Sequence, residues 1–546
     1  MKLWSLKAKH ILIIDDFSGM RSMLTNMLAV YNADSITEAA NGEEAIQLIS
    51  ENHYDVILCD YNLGTGKDGQ QVLEEAKERD LIPYSSIYIM TTAENTAEMV
   101  MGAVEYIPDG YLSKPFTKEV LISRLKRLVE KKENLIEIST AIQQRDYVSA
   151  IDLCKKLLGD KPKNRYELLK TQVELYIKIN DYDNAETILN SVIAEREMPW
   201  ALLYLGQIHF YRNNYEDAKY IFEDLSEDNP NYLFAHDWLS KTHEKIGNLQ
   251  DSQDALLKAI ERSPKAIKRQ QILADISFRN KDLDTSEKAY KRIVRTGKHS
   301  CYLSPDDYSG LANVYIEKGM TIDALNTMVS MRESFCKPGS LFNMKYHINE
   351  AFIYNKMLNK DKTKSSLDKV IDLFDASPGE MNSIDAINIA EICYAHEMQE
   401  AGNKLACHAI RNNHNNQNVI DDIVNQLSCS GLSKDTINTL METRDEVVEL
   451  NNRGVKLATS GHIEESISLF VKAASAMSEN SVINLNAAQS LIMFMKSSSP
   501  THDLLNETKK YLDRVSFEGK PSDKYRMLTK LYREQKLYAD KQTRKG

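Results

Sequence analysis

A small residue recurs at nearly constant spacing in the middle of the chain, and this period limits what the segment can fold into. The positions are Ala150, Ala185, Ala218, Ser252 and Ser286. Successive steps are 35, 33, 34 and 34 residues. Each small residue follows a short turn, and an apolar residue follows four positions later in the helical pattern. A period near 34 is typical of stacked pairs of helices, in which the small residue lets the two helices cross closely.

The unit from Leu202 to Pro230 shows this pattern most clearly. It carries Leu205-Gly206, Ala218 and Phe222 in an order that resembles the tetratricopeptide repeat. The resemblance implies an all-α superhelix whose concave groove binds a peptide or a helix of another protein. We therefore expect the repeats to carry a protein-binding function.

The repeat pattern weakens toward the carboxyl end. We expect about five repeats over residues 133–298 and more divergent units over 299–411, after a longer connection near Lys298–Asp307. For residues 412–445 the sequence predicts a helical segment that does not follow the 34-residue period. Residues 446–546 predict further repeat-like units and a capping helix.

Residues 1–132 follow a different pattern, in which strand-like and helix-like segments alternate. Apolar runs at Ile11–Ile14, Val56–Cys59 and Ile87–Thr92 predict strands, and Tyr111–Leu112 predicts another. The predicted helices are Ser18–Tyr31, Asn41–Ser50, Gln70–Glu78, one near Asn95–Val104, and one from Thr117. This alternation indicates an α/β domain with a parallel sheet covered on both faces.

Charged and hydroxyl residues stand where these strands end. Asp15 and Asp16 end the first strand, Asp60 and Thr92 end two others, and Lys114 follows the last. In a sheet of order 2-1-3, the three carboxylates meet at one edge. At ~4 Å and an effective dielectric of about 20, each pair repels by roughly 4 kcal/mol. The cluster therefore needs a cation, and few all-oxygen protein ligands suit Mg²⁺.

This set of groups predicts phosphoryl transfer onto Asp60. The cation and the Lys114 ammonium would stabilise the charge on the transferred group. Taken singly, each residue has a simpler interpretation: Asp15-Asp16 as an acidic pair at a helix start, Lys114-Pro115 as a loop, and Tyr111 as a core aromatic. Their joint occurrence at strand ends favours the functional interpretation.

Residues 9–130 resemble the receiver domain of bacterial response regulators of the CheY type. The resemblance is carried by four motifs, Ile13–Arg21, Cys59–Asn62, Met90–Glu94 and Gly110–Phe116. It implies a five-stranded, doubly wound parallel sheet of order 2-1-3-4-5, followed here by the all-α tetratricopeptide superhelix.

The resemblance also implies residue roles. Asp60 is the phosphoacceptor, served by a histidine kinase or a phosphotransfer protein. Mg²⁺ is bound by Asp15, Asp16, Asp60 and the backbone carbonyl of Asn62. Lys114 and Thr92 act in the catalytic site, and Thr92 and Tyr111 form the conformational switch.

One segment departs from the family pattern. Leu63–Gly69 replaces the usual Met-Pro and Asp-Gly elements with a loop that is one residue longer. The change removes no acceptor or metal residue, but it bears on the loop's shape and on the lifetime of the phosphorylated state.

Composition excludes several function classes. The chain has 546 residues, 68 Lys+Arg against 79 Asp+Glu, and a formal net charge of −11. This acidic balance argues against nucleic-acid binding. No apolar run approaches the length of a membrane span, and none of the seven cysteines forms a CxxC pair. We expect a cytoplasmic protein without membrane insertion.

The combination of domains resembles response regulators of the VieB type. It predicts a two-component regulator in which phosphorylation of Asp60 switches protein binding by the repeats. The resemblance also implies that the chain controls another regulator by direct contact, and a cyclic-di-GMP phosphodiesterase is one candidate target. The alternative is a phosphate sink or a constitutive scaffold. The repeats carry no catalytic constellation, so we do not expect an enzyme. Both domain types commonly dimerise, so the sequence allows a homodimer.

Overall fold

The computed structural model describes residues 5–7, 9–33, 35–83, 85–93, 108–133, 135–143, 146–159, 162, 164–335, 340–515 and 522–543. The chain divides into two compact units, Met1–Gly310 and Leu311–Gly546. The first unit contains an α/β domain and a series of helix pairs, and the second is helical. The boundaries predicted at residues 298, 411 and 445 stay predictions.

The amino-terminal domain is built on a five-stranded parallel sheet. Its strands are β1 (His10–Ile14), β2 (Ser35–Ala39), β3 (Val56–Asp60), β4 (Ile87–Thr92) and β5 (Gly110–Ser113). Their order is β2-β1-β3-β4-β5, and every neighbouring pair is parallel. This confirms the predicted fold class and strand order.

Helices cover both faces of this sheet. They are α1 (Ser18–Ala29), α2 (Gly42–Glu51), α3 (Gly69–Glu78) and α4 (Lys118–Glu133). Successive residues of a strand point to opposite faces, so Leu12 and Ile14 join one core while Ile11 and Ile13 join the other. The helix predicted near Asn95–Val104 lies outside the described residues.

The sequence did not locate β2. Its residues Ser35–Ala39 form an edge strand in which only Ala39 is buried. A strand that buries so little shows no clear apolar alternation, so the sequence offered no signal.

The helix pairs of the first unit follow directly. They are α5 (Ile136–Gln143), α6 (Tyr147–Gly159), α7 (Arg165–Lys178), α8 (Tyr182–Glu195), α9 (Pro199–Tyr211), α10 (Tyr215–Asp228), α11 (Leu233–Ile246), α12 (Leu249–Arg262), α13 (Ile267–Arg279) and α14 (Leu283–Thr296). The five periodic small residues lie on the second helix of each pair, and all have 0% exposure. The Ser286 hydroxyl also donates to the Ala274 carbonyl oxygen of the preceding helix at 2.8 Å.

The remaining helices continue the series. They are α15 (Pro305–Glu317), α16 (Thr321–Ser334), α17 (Ser340–Lys356), α18 (Lys360–Ala376), α19 (Ser383–Ala395), α20 (Gln399–Asn412), α21 (Gln417–Cys429), α22 (Lys434–Met441), α23 (Thr443–Thr459), α24 (Ile463–Ala476), α25 (Ser481–Ser497), α26 (His502–Asp513) and α27 (Asp523–Thr543). Within the second unit they enclose two apolar cores. Nowhere in the described part of the chain is a helix long and apolar enough to cross a membrane.

Candidate functional site

Three carboxylates converge at the carboxyl edge of the sheet. Asp15 and Asp16 directly follow β1, and Asp60 is the last residue of β3, which pairs with β1. Each offers one oxygen, and these oxygens lie within 4.8 Å of one another. The sheet order therefore brings together the three aspartates that the sequence predicted for this site.

Two of these carboxylates have very different surroundings. Asp15 is buried, and its Oδ1 accepts a hydrogen bond from the Phe17 N–H at 3.0 Å. Its own backbone carbonyl accepts from Arg21 Nη1 at 2.8 Å. Asp16 is exposed. Asp15 is thus held in place by α1, whereas the Asp16 carboxylate stays open to water.

Lys114 places an ammonium group between two of the carboxylates. Its Nζ donates to Asp15 Oδ2 at 2.8 Å and lies 3.0 Å from Asp60 Oδ1. The Lys114 backbone N–H donates to the Thr92 carbonyl oxygen at 2.7 Å. This bond continues the pairing of β5 with β4 and sets the lysine at the sheet edge.

Burial and charge shift the pKa values of this pair. Burial raises the pKa of Asp60, and the hydrogen bond from Lys114 offsets only part of that rise. For Lys114, burial alone would lower the pKa, but hydrogen bonds to Asp15 and Asp60 raise it overall. The lysine therefore keeps its charge beside the Asp60 carboxylate.

The donor set fits a hard divalent cation. The cluster holds three carboxylates, and two of them contact the one ammonium group, so it keeps an excess of negative charge. Closely spaced oxygen ligands of this kind suit Mg²⁺, which keeps several of its waters. Asp15, Asp16 and Asp60 are the residues that could hold it.

Comparison with known proteins identifies the domain that carries this site. Residues 11–126 match the family described as response regulator receiver domain. The chemotaxis protein CheY-3 of Vibrio cholerae is 30% identical over 125 residues, which are 23% of this chain and 95% of that protein. The chain belongs to the response regulator receiver family. The chemotaxis protein CheY of Pseudomonas aeruginosa is 29% identical over 121 residues, 22% of this response regulator and 96% of that protein.

A second family model and two solved structures also match parts of this response regulator. Vibrio cholerae CheY4 shares 25% identity over 22% of this chain and 98% of its own, with a TM-score of 0.21. Residues 200–232 match the tetratricopeptide repeat family. The C-terminal part of a repeat protein from Cytophaga hutchinsonii shares 14% identity over 44% of this chain and 95% of its own, with a TM-score of 0.37. By the two family matches, the response regulator joins a receiver domain to a tetratricopeptide repeat region.

The two predicted switch residues stand on neighbouring strands of the receiver. Thr92 ends β4 and is half-buried, and Tyr111 lies on β5 opposite Met90. The Tyr111 hydroxyl is buried without a hydrogen-bond partner among the described residues. Burial, and then the nearby Tyr61, raise the pKa of Tyr111. Their switching role stays a prediction.

Thr91 was not predicted as a site residue, yet its hydroxyl lies beside Asp60. Thr91 is buried and pairs with Asp60 in the sheet register. Its Oγ1 lies 3.4 Å from the Cys59 carbonyl oxygen and 3.5 Å from Asp60 Oδ1. The sequence places Thr91 and Thr92 equally well at a strand end, and the structure adds that the Thr91 hydroxyl lies near the Asp60 carboxylate.

The atypical loop after Asp60 is attached to α2. Gly64 and Gly66 have φ values of 75° and 102°, which favour glycine. The Lys67 N–H donates to Glu43 Oε1 at 3.1 Å. The Asn62 side chain accepts from the Gly64 N–H at 3.4 Å, and its carbonyl stays a predicted metal ligand.

Proposed function

We propose that this response regulator is a phosphorylation-controlled adaptor of the cytoplasm. Asp60 takes a phosphoryl group from a phosphohistidine of a histidine kinase or a phosphotransfer protein. The repeats then bind a protein partner with an affinity that depends on this group. One observation carries the proposal: the Lys114 ammonium lies within 3.0 Å of Asp60, in contact with the acidic cluster.

The residues at the sheet edge suit this transfer. A carboxylate oxygen of Asp60 forms a bond to phosphorus while the P–N bond of the donor histidine breaks, and the electron pair returns to the imidazole nitrogen. Lys114 offers positive charge where negative charge develops. Asp15, Asp16, Asp60 and the Asn62 carbonyl would hold Mg²⁺, which supplies further positive charge to the transferred group.

The switch proposal rests on two neighbouring side chains. Thr92 ends the strand beside Asp60, and Tyr111 stands on the next strand with a hydroxyl that lacks a hydrogen-bond partner in the described chain. A ring held only by packing can turn without breaking a hydrogen bond. We infer that Thr92 and Tyr111 carry the phosphorylation signal to the receiver surface.

The output is protein binding by the repeats. Across the described residues, the receiver cluster is the one group of three or more His, Cys, Asp or Glu side chains close enough to hold a metal ion. A superhelix of helix pairs offers a groove for a helix or an extended segment of another protein. Another regulator, such as a cyclic-di-GMP phosphodiesterase, is one candidate for that groove.

Phosphorylation is tested on the full-length protein with acetyl phosphate. Intact-mass spectrometry should show the addition of one phosphoryl group in the presence of Mg²⁺. The addition should disappear in Asp60→Asn and persist in Asp55→Asn, a second aspartate of the receiver. Continued labelling of Asp60→Asn would assign the acceptor to another residue.

The adaptor function is tested by partner capture. The protein is incubated with a lysate of its native cell in Mg²⁺, with and without beryllofluoride, which stands in for the phosphoryl group. A partner gained or lost only with beryllofluoride, and only when Asp60 is present, supports the adaptor. The same partners in every condition would favour the phosphate sink or constitutive scaffold.

A further inference from the structure

Two segments that depart from the expected family patterns contact each other within the first unit. One is the longer loop Leu63–Gly69 that follows the acceptor strand. The other is the longer connection Lys298–Asp307 between the repeats. Lys67 Nζ in the loop donates to the His299 carbonyl oxygen in the connection at 2.6 Å. The receiver therefore contacts the repeats through a segment adjacent to Asp60.

The acidic face of α3 extends this contact. Lys67 Nζ also lies 3.1 Å from Glu75 Oε2. Glu74 is 2% exposed, and the Ser300 hydroxyl, itself buried, lies 3.5 Å from Glu74 Oε2. Part of this surface is thus excluded from water, which distinguishes it from a chance approach of two exposed side chains.

A second cation anchors the end of the same helix. Lys268 Nζ, on α13, donates to Glu78 Oε2 at 2.9 Å, and the Tyr302 hydroxyl donates to the same oxygen at 3.2 Å. The Lys268 ammonium also lies 4.1 Å from the centroid of the Tyr302 ring. The hydrogen bond from Lys268 holds the pKa of Glu78 below its usual range.

The contact reaches the residue next to the acceptor. Lys265 Nζ lies 5.7 Å from the centroid of the Tyr61 ring. The Tyr61 N–H donates to Asp60 Oδ1 at 3.0 Å. We call the whole set the docking contact: the loop and α3 on the receiver side, and Lys265, Lys268 and residues 299–302 on the repeat side.

We propose that the docking contact opposes loading of the Asp60 site with a cation and a phosphoryl group. The inference rests on the proposed function, because it takes Asp60 as the loaded residue. Asn62 and Asp16 are predicted ligands of the cation; Asn62 directly precedes the loop, and Asp16 Oδ2 lies against it, 3.3 Å from the position of a Cβ on Gly64. Lys67 holds the other end of this loop to His299.

The predicted cation ligands at one end of the loop and the Lys67–His299 hydrogen bond at its other end therefore favour different positions of this short loop. Because such coupling is reciprocal, loading the site weakens the docking contact by the same factor by which docking weakens loading. The ion pairs that form the docking contact are weak enough to break when the site is loaded. The Lys268 and Glu78 side chains are 54% and 51% exposed, and exposed ion pairs contribute little singly.

A natural cysteine reports on the docking contact. Cys301 lies between His299 and Tyr302 and is exposed, and partial desolvation together with Glu74, Glu75 and Glu78 raises its pKa to about 11. Release of the contact moves these carboxylates away and completes the hydration of the thiol, so the thiol ionises more readily and reacts faster. Cys429, an exposed free cysteine of the second unit, serves as the internal reference.

The experiment measures alkylation of Cys301 relative to Cys429 in the full-length protein by mass spectrometry. With Mg²⁺ and beryllofluoride, we expect the ratio of rates to rise about fivefold over Mg²⁺ alone, at the lower end of known couplings. Lys268→Glu should raise the ratio without beryllofluoride. In calorimetry, the same variant should bind beryllofluoride about fivefold more tightly.

Two further variants control for charge and folding. Lys219→Glu makes the same charge change on the repeats at a lysine that pairs with Glu216, and it should alter neither measurement. The charge swap of Glu78→Lys with Lys268→Glu should restore wild-type values.

The outcomes separate the two proposals. If wild type binds beryllofluoride but the Cys301 ratio does not rise, or if Lys268→Glu leaves the affinity unchanged, the antagonism is overturned while the acceptor chemistry stands. If wild type does not bind beryllofluoride, the proposed function fails, and the Cys301 ratio in Lys268→Glu alone then decides whether the docking contact exists.

Discussion

Lys67 donates a hydrogen bond from Nζ to the backbone carbonyl oxygen of His299 over 2.6 Å, across 232 positions of the chain. This bond joins the loop Leu63–Gly69, which follows β3, to the connection between two repeats. The sequence predicted that both segments are longer than in their families' usual patterns. Through this hydrogen bond the receiver domain contacts the repeats directly.

The first prediction concerns Lys114. Lys114→Ala removes the ammonium that lies 3.0 Å from Asp60 Oδ1. Because preorganised charge at a reacting group accounts for roughly 100-fold or more in rate, phosphorylation by acetyl phosphate should slow by about that factor. Lys118→Ala, at the start of α4, is the control and should react at the wild-type rate. A Lys114→Ala rate within a factor of about three of wild type would contradict the assigned role.

The second prediction concerns pH. Only the ionised Asp60 carboxylate can attack phosphorus, and burial raises the pKa of Asp60 above 3.8. The reactive fraction is therefore complete well above the raised pKa and falls as pH drops through it. Lys114→Ala should move the midpoint upward, since Lys114 lowers this pKa. The ¹³C chemical shift of the Asp60 carboxyl group measures the midpoint, and a value at or below 3.8 would contradict the prediction.

The third prediction uses the buried tyrosine hydroxyls of the receiver. Tyr111→Phe removes a buried hydroxyl that has no hydrogen-bond partner among the described residues. The free energy of unfolding should therefore rise by about 1 kcal/mol. In contrast, the buried Tyr88 hydroxyl donates to the Gly69 carbonyl oxygen at 3.1 Å, so Tyr88→Phe should lower it by about 1 kcal/mol. Equal effects of the two variants in urea denaturation would refute this interpretation.

The fourth prediction concerns helix crossing in the repeats. A Cβ on Gly206 would lie 2.5 Å from the Phe222 ring. Gly206→Ala should therefore destabilise the first unit by about 2 kcal/mol, and a second change, Phe222→Leu, should recover part of the loss. Nothing lies within 4 Å of a Cβ on Gly159, so Gly159→Ala should be neutral or slightly stabilising. Thermal denaturation of the four proteins distinguishes these outcomes.

The sequence predicted most strands of the receiver and the charged residues at their ends, because both follow from short local patterns of apolar residues. Asp15, Asp60 and Lys114 each stand at the end of an apolar run, and a parallel sheet gathers such ends at one edge. The 34-residue period likewise predicted which small residues are buried between helices. Ser286, for example, is fully buried against the preceding helix.

Other features gave no local signal. β2 lies at the sheet edge and buries only Ala39, so its pattern resembles that of a loop. Thr91 and Thr92 are adjacent hydroxyl residues, and only the tertiary structure shows that Thr91 Oγ1 lies 3.5 Å from Asp60 Oδ1.

The amino-acid sequence by itself determined the fold class, the repeat architecture and the acidic cluster with its lysine. Each of these depends on periodic burial or on residues at strand ends, and both are local properties of the chain. Only the tertiary structure decided that Lys67 meets His299 and that Lys268 meets Glu78. Polar residues on exposed faces carry no periodicity, and their partners depend on which surfaces the folded domains bring together.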